Sequence, residues 1–183
     1  MPNGLSKRSS RREVALVKID EWLDEVNEQD EVIGQRRRSE IHQSNLRHRS
    51  VHLFVFDQEG RLFLQKRSHR KDVHPGLWDT SAAGHVDAGE DIGTSALREL
   101  KEELGLAPKT PLEFLLKLEA EATTGWEFIS LFKTIAESPI TLEAEEIDEG
   151  QWLSESAVNA WIKMGGEGLT PTFIHLWTHY RRL

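Results

Sequence analysis

Between Val51 and Phe56 the chain is almost continuously apolar, Asp57-Gln58-Glu59-Gly60 follows, and Leu62, Phe63 and Leu64 resume the apolar run before a basic cluster. Two buried runs joined by Asp and Gly at turn positions predict a hairpin inside the core. Upstream, Trp22 to Gly34 alternates apolar and polar residues around Asn27-Glu28-Gln29-Asp30, which predicts an N-terminal hairpin. Pro75-Gly76 then breaks the chain, and Leu77 to Ala83 reads as a short strand. Past the loop Gly84 to Gly89 the spacing turns helical, with Leu97, Leu100 and Leu104 three and four apart, Gly105 at the left-handed cap and Pro108 barring continuation. Leu97, Leu100, Leu104 and Leu106 are expected to anchor this helix, Ala96 to Leu104, in the core.

Downstream, Leu112 to Leu118 and Phe128 to Ile135 fit strands, while Ser154 to Met164 and Pro171 to Arg181 carry cap signals and apolar spacing suited to helices. Strands that occur both as hairpins and beside helices predict a layered α/β fold, with a mixed sheet covered by helices on its faces.

A length of 183 residues fits one domain, and 38% hydrophobic with 30% charged residues fits a globular chain. Residues 1–18, with Lys7, Arg8, Arg11 and Arg12 among serines, read as a flexible basic tail, and residues 19–183 as the domain. The net charge of −8 gives no broad attraction to nucleic acid or to an anionic membrane, so neither is expected as a partner, and a phosphate-bearing substrate would need local cations. No apolar run is long enough to span a bilayer. The absence of cysteine excludes disulfides, thiolate metal sites and a cysteine nucleophile. A cytoplasmic location is expected, and a homodimer is compatible with the sequence.

At about 100° per residue, Glu102 and Glu103 project from the same side of the central helix as Glu99. Such crowding of like charge calls for a positive partner, and Mg²⁺, which takes carboxylate oxygens and shares its other positions with substrate phosphates, would supply one. A solvated acidic face is the other reading of the trio taken alone.

The flanking residues add to this. From Gly84 the chain reads GHVDAGEDIGTSALRELKEELGL: a glycine, five residues, Glu90, seven residues, then Arg98-Glu99-Leu100-Lys101-Glu102-Glu103-Leu104-Gly105-Leu106. This resembles the Nudix box in every defined position. The resemblance implies a Nudix-type α/β/α sandwich and a Mg²⁺-dependent pyrophosphohydrolase, with Mn²⁺ as a substitute, acting on a nucleoside diphosphate linked to another moiety. It also implies that Glu99, Glu102 and Glu103 hold the metal, with the Gly84 carbonyl as a further ligand. Arg98 would pair with a carboxylate to fix its rotamer, and Glu90 would support the loop or an outer metal. The ion would neutralise phosphoryl oxygens and activate water.

Upstream, LRHRSVHLFVFDQEGRLFLQKRSHRKDVHPGLWDTSAAGHV resembles the corresponding stretch of isopentenyl-diphosphate isomerases and of the Nudix hydrolases most similar to them. By that resemblance Arg67 and Lys71 would hold the diphosphate, and His48 and His85 match metal-binding histidines. Ala83 stands where the isomerases carry a catalytic cysteine, so isomerisation lacks a proton donor or acceptor and hydrolysis is favoured. Glu146, in an acidic loop, and Glu127, matching a catalytic glutamate of the isomerases, are the candidates for general base. An isomerase-like enzyme and a non-catalytic nucleotide-binding module are the alternatives. Trp126 and Trp152 could stack on a base but read first as core residues.

Overall fold

The apolar run at Val51 forms the centre of the sheet. A computed structural model describes residues 20–183, and the expected basic tail, residues 1–18, lies outside the described residues. The elements run β1 (Trp22–Val26), β2 (Val32–Arg37), α1 (Arg38–Gln43), β3 (His48–Phe56), β4 (Leu62–Arg67), β5 (Trp78–Asp79), β6 (Ala82–His85) and α2 (Ile92–Leu104). After α2 come β7 (Glu113–Leu118), β8 (Glu127–Ile135), β9 (Ile147–Leu153), α3 (Glu155–Lys163) and α4 (Pro171–Tyr180).

Seven strands make the main sheet in the order β5-β4-β3-β8-β7, with β6 also paired to β3 and β9 to β4. The β3–β8 ladder is parallel, from His48 opposite Glu127 to Phe56 opposite Ile135, and its neighbours are antiparallel, so the sheet is mixed. Both faces are covered. Val51, Leu53 and Val55 pack with Leu100 and Leu104 of α2. The alternate residues Phe54 and Phe56 pack with Phe173, Leu176 and Trp177 of α4. The alternation along β3 therefore divides one strand between two cores, the α/β/α arrangement expected.

The N-terminal hairpin forms as expected and continues to Arg37. The second hairpin differs. Asp57 closes its turn by accepting from Glu59 N (2.9 Å) and Arg61 N (2.8 Å), yet β3 and β4 pair only at Phe56–Leu62. Beyond that point the strands splay, and Ser81 bridges them: Val55 N donates to Ser81 Oγ (2.8 Å), which donates to Phe63 O (2.5 Å). The stretch read as one strand, Leu77 to Ala83, is thereby split into β5 on β4 and β6 on β3.

Leu97 is a second correction. It is 45% exposed, whereas Leu100 and Leu104 are fully buried. Leu97 lies near Leu104 on the helical wheel but two turns, roughly 10 Å, nearer the N-terminus. Burial on that side is confined to the C-terminal turns, and the buried stripe runs instead through Ser95, Ala96, Glu99 and Glu103. Carboxylates in core-facing positions break the local rule, which marks a functional site.

Candidate functional site

Helix α2 is fixed at both ends. Asp91 caps its N-terminus by accepting from Thr94 N (3.1 Å), and Gly105 ends it at φ 67°, the left-handed conformation that favours glycine. The helix lies against β6, and a β-carbon at Gly84 would meet the Glu99 carboxyl carbon at 2.1 Å. Only glycine leaves room for that carboxylate.

Glu103 is held from the sheet side. Its Oε2 accepts from Gln65 Nε2 (2.9 Å) and from Ala83 N (3.1 Å). Burial, with the charge of Glu99 nearby, pushes its carboxyl up to about 7 against those donors and Lys71. Burial also raises Glu99, and Arg98 opposes the rise. Glu102 differs in environment, its side chain being 60% exposed.

Arg98 gathers this wall. Its Nε and Nη2 donate to the two oxygens of Glu90 (3.0 and 2.9 Å), and Nη1 donates to Glu99 Oε1 (2.5 Å) and Glu102 Oε2 (3.3 Å). Nη2 also donates to the His85 carbonyl (3.0 Å). The bidentate fork on Glu90 fixes the guanidinium, and the guanidinium in turn orients two box glutamates.

Glu99, Glu102, Glu103, Arg98 and Gly84 line one cleft of about 800 Å³ together with Arg67, Lys71, Glu146 and Glu127. All nine site residues selected on sequence are thus brought together. Arg67 braces the loop after β4, donating to Val73 O (3.0 Å) and to Asp79 Oδ2 (3.3 Å). Lys71 is ion-paired with Glu146. Trp126 and Trp152 are not among the residues lining the cleft: Trp152 packs edge-on against Phe63, and Trp126 lies under Arg47.

Glu127 sits in a second cluster. His42, His48 and His85 bring ring nitrogens within 4.8 Å of one another, and Glu127 Oε1 lies 3.6 Å from His48 Nε2 and 3.8 Å from His85 Nε2. His48 Nδ1 is 3.0 Å from the Leu46 carbonyl, and its Nε2 is buried with no hydrogen-bond partner. A proton on Nδ1 leaves the Nε2 lone pair facing the cluster. Burial and the two neighbouring imidazoles push His42 down to about 4. Burial would raise the Glu127 carboxyl, but His48, His85 and Ser50 outweigh it and hold it below the usual range. Three imidazoles and one carboxylate are a donor set that fits a transition-metal ion, whereas the oxygen-only wall of α2 fits Mg²⁺. Sequence reasoning missed His42, because the six-residue helix that carries it, α1, has too few turns to show a period.

Such a cleft, with carboxylates on a helix facing cations on a loop, defines an α/β enzyme equipped for phosphate chemistry. The chain belongs to the Nudix family: the NUDIX domain matches residues 46–173. It is a hydrolase of the class acting on diphosphate bonds, a class that generally uses divalent cations. The chain is 37% identical over 141 residues to the uncharacterized Nudix hydrolase YfcD of Salmonella typhi, covering 76% of each chain. Its fold matches the crystal structure of DR0079 from Deinococcus radiodurans with a TM-score of 0.76 at 28% identity, over 88% of this chain and 98% of that one. The NUDIX domain of Shewanella oneidensis NrtR, solved with ADP ribose, matches at a TM-score of 0.55 and 18% identity, over 73% and 85% of the two chains. Among the described residues, no helix is long and apolar enough to cross a membrane.

Proposed function

We propose that the chain is a Mg²⁺-dependent pyrophosphohydrolase of the cytoplasm, cleaving the diphosphate bond of nucleoside diphosphate derivatives. The observation that carries the reading is the approach of Glu99 to Gly84, with Glu103 and Glu102 on the following turn. Two buried carboxylates whose protonation is favoured by their surroundings are a donor set that a hard cation completes.

When bound, Mg²⁺ neutralises charge on the phosphoryl oxygens and activates water. Glu99, Glu102 and Glu103 would hold it, and the Gly84 carbonyl would be a further ligand. Arg98 keeps Glu99 and Glu102 in place. Lys71 and Arg67, on β4 and the loop after it, position the diphosphate. Glu146, beside Lys71 and facing the cleft, takes a proton from the attacking water, whereas Glu127 is enclosed by histidines. The water oxygen bonds to one phosphorus, the bridging P–O bond breaks, and the departing phosphate leaves with the electron pair.

The isomerase-like alternative is disfavoured because Ala83 offers only a methyl group, while its N–H is committed to Glu103. A non-catalytic nucleotide-binding module would have little use for the complete set of Arg98 and three glutamates. The test is phosphate release with Mg²⁺ across nucleotide and isoprenoid diphosphates. Turnover in the parent and a loss of at least ~10²-fold in Glu102→Gln are expected, the scale of a damaged catalytic metal site. Absence of cleavage across the whole panel would end this reading.

A further inference from the structure

Apart from Arg98, the cations that line the cleft come from outside the carboxylate helix. Arg67 ends β4, Arg70 and Lys71 lie on the loop that follows, and Arg38 reaches the same opening from α1. These are more cations than one diphosphate needs when a divalent ion already shares its charge.

Their present partners separate them into two kinds. Arg67 is committed inward, to a loop carbonyl and to Asp79, whose side chain is only 5% exposed. Arg38 and Arg70 are held by carboxylates in water: Arg38 by Asp72 (3.2 Å, side chain 74% exposed) and Arg70 by Glu145 (side chain 70% exposed). Exposed pairs of this sort contribute little, and a phosphate, with its charge and forked acceptor oxygens, can replace either carboxylate. Asp72 is two residues beyond Arg70, so Arg38 pairs with the loop that carries Arg70, and both line the cleft.

The rest of the wall is equally hydrophilic. Among the described lining residues only Val73 and Ala83 have hydrocarbon side chains, Asn45 is the one carboxamide, and the only rings are imidazoles. Residues 1–19 include no Phe, Trp or Tyr. A base lying in this cleft would meet guanidinium or imidazole faces, which stack on every base alike.

We propose that the preferred substrate carries at least one phosphate beyond the scissile diphosphate, seated on Arg38 and Arg70, and that the enzyme reads phosphate and hydroxyl groups rather than a base. This rests on the hydrolase reading above and names its substrate class.

Steady-state kinetics with Mg²⁺ on two series test it. The first series is the four common nucleoside triphosphates, and the second sets ADP-ribose beside 5-phosphoribosyl 1-diphosphate, which has no base and one further phosphate. The kcat/KM values for the four bases should agree within ~3-fold, as expected without base-specific hydrogen bonds. The phosphoribosyl compound should exceed ADP-ribose by at least ~10-fold, the worth of one added charge-assisted contact. In Arg38→Gln and Arg70→Gln that ratio should shrink towards one, chiefly through KM. A preference above ~10-fold for one base would overturn the inference and leave the hydrolase reading intact, because discrimination of that size needs dedicated contacts. A ratio that both variants leave unchanged would overturn it in the same way. Failure to cleave any compound would remove the hydrolase reading, and this inference with it.

Discussion

Gly84 and Glu99 occupy adjoining space so completely that a β-carbon on the glycine would fall 2.1 Å from the glutamate's carboxyl carbon. Gly84→Ala must therefore move either the carboxylate or the helix that carries it. Core contacts at Leu100 and Leu104 hold the helix, so the side chain yields. Hydrolysis is expected to fall by at least ~10²-fold, as ångström-scale misplacement of a catalytic group does, while the far-ultraviolet circular dichroism spectrum stays that of the parent. An active Gly84→Ala enzyme would remove Glu99 from the metal wall.

Glu103 predicts an opposition between protons and metal. An unfolded glutamate releases its proton near the ordinary value of 4.5, whereas in the fold burial holds it to about 7. Between those values the folded chain binds more protons than the unfolded one, so stability falls as pH rises through the window. The loss is about 3 kcal/mol at most. With a chelator present, the thermal midpoint should decline from about pH 5 to about pH 7.5, and excess Mg²⁺ should restore it at the upper end by mass action. A chelated midpoint that rose over this interval would contradict a burial cost at Glu103 that outweighs its donors and Lys71.

The two leucines that sequence spacing treats alike should separate on substitution. Leu100→Ala removes a fully buried side chain between α2 and β3 and should cost about 2–5 kcal/mol. Leu97→Ala alters a side chain 45% in water and should stay within about 0.5 kcal/mol of the parent. Urea titration of both variants decides this, and equal losses would mean that Leu97 is buried in solution.

That difference shows where the sequence is legible. The end of the helix can be read, because Gly105 and Pro108 are local signals, whereas its start at Ile92, capped by Asp91, lies four residues before the Ala96 that leucine spacing gives. Which of its residues meet the sheet depends on where β3 and β6 end, and no periodicity along α2 contains that. The buried hairpin after Val51 is legible in its turn, which is local, but not in the extent of its pairing, because the insertion of Ser81 between β3 and β4 is decided by a segment eighteen residues beyond Phe63. The carboxylate wall is legible because its residues lie within one short run, from Gly84 to Glu103. The histidine cluster was only half legible, since it joins α1, β3, β6 and β8. His48 and His85 are named through the resemblance to the isomerases, but nothing in the sequence places His42 beside them.

The histidine cluster should take up a transition metal independently of the glutamates on α2. His48 is buried, the Leu46 carbonyl lies within reach of its Nδ1 proton, and its Nε2 makes no hydrogen bond. The Nε2 atoms of His42 and His85 are 3.2 Å apart, with Glu127 nearby to balance charge. Such a donor set is softer than the carboxylate wall, so Co²⁺ or Zn²⁺ is expected there while Mg²⁺ stays on α2. Titration of chelator-treated protein with Co²⁺ should give a visible d–d band that His48→Gln abolishes and Glu102→Gln retains. Loss of His48 should weaken binding by at least ~10-fold, since even partners outside the ligand shell reach that scale. Magnesium should not bleach the band. A band that vanished in Glu102→Gln but survived in His48→Gln would put the ion on α2 and leave the three histidines as hydrogen-bonded packing around Glu127.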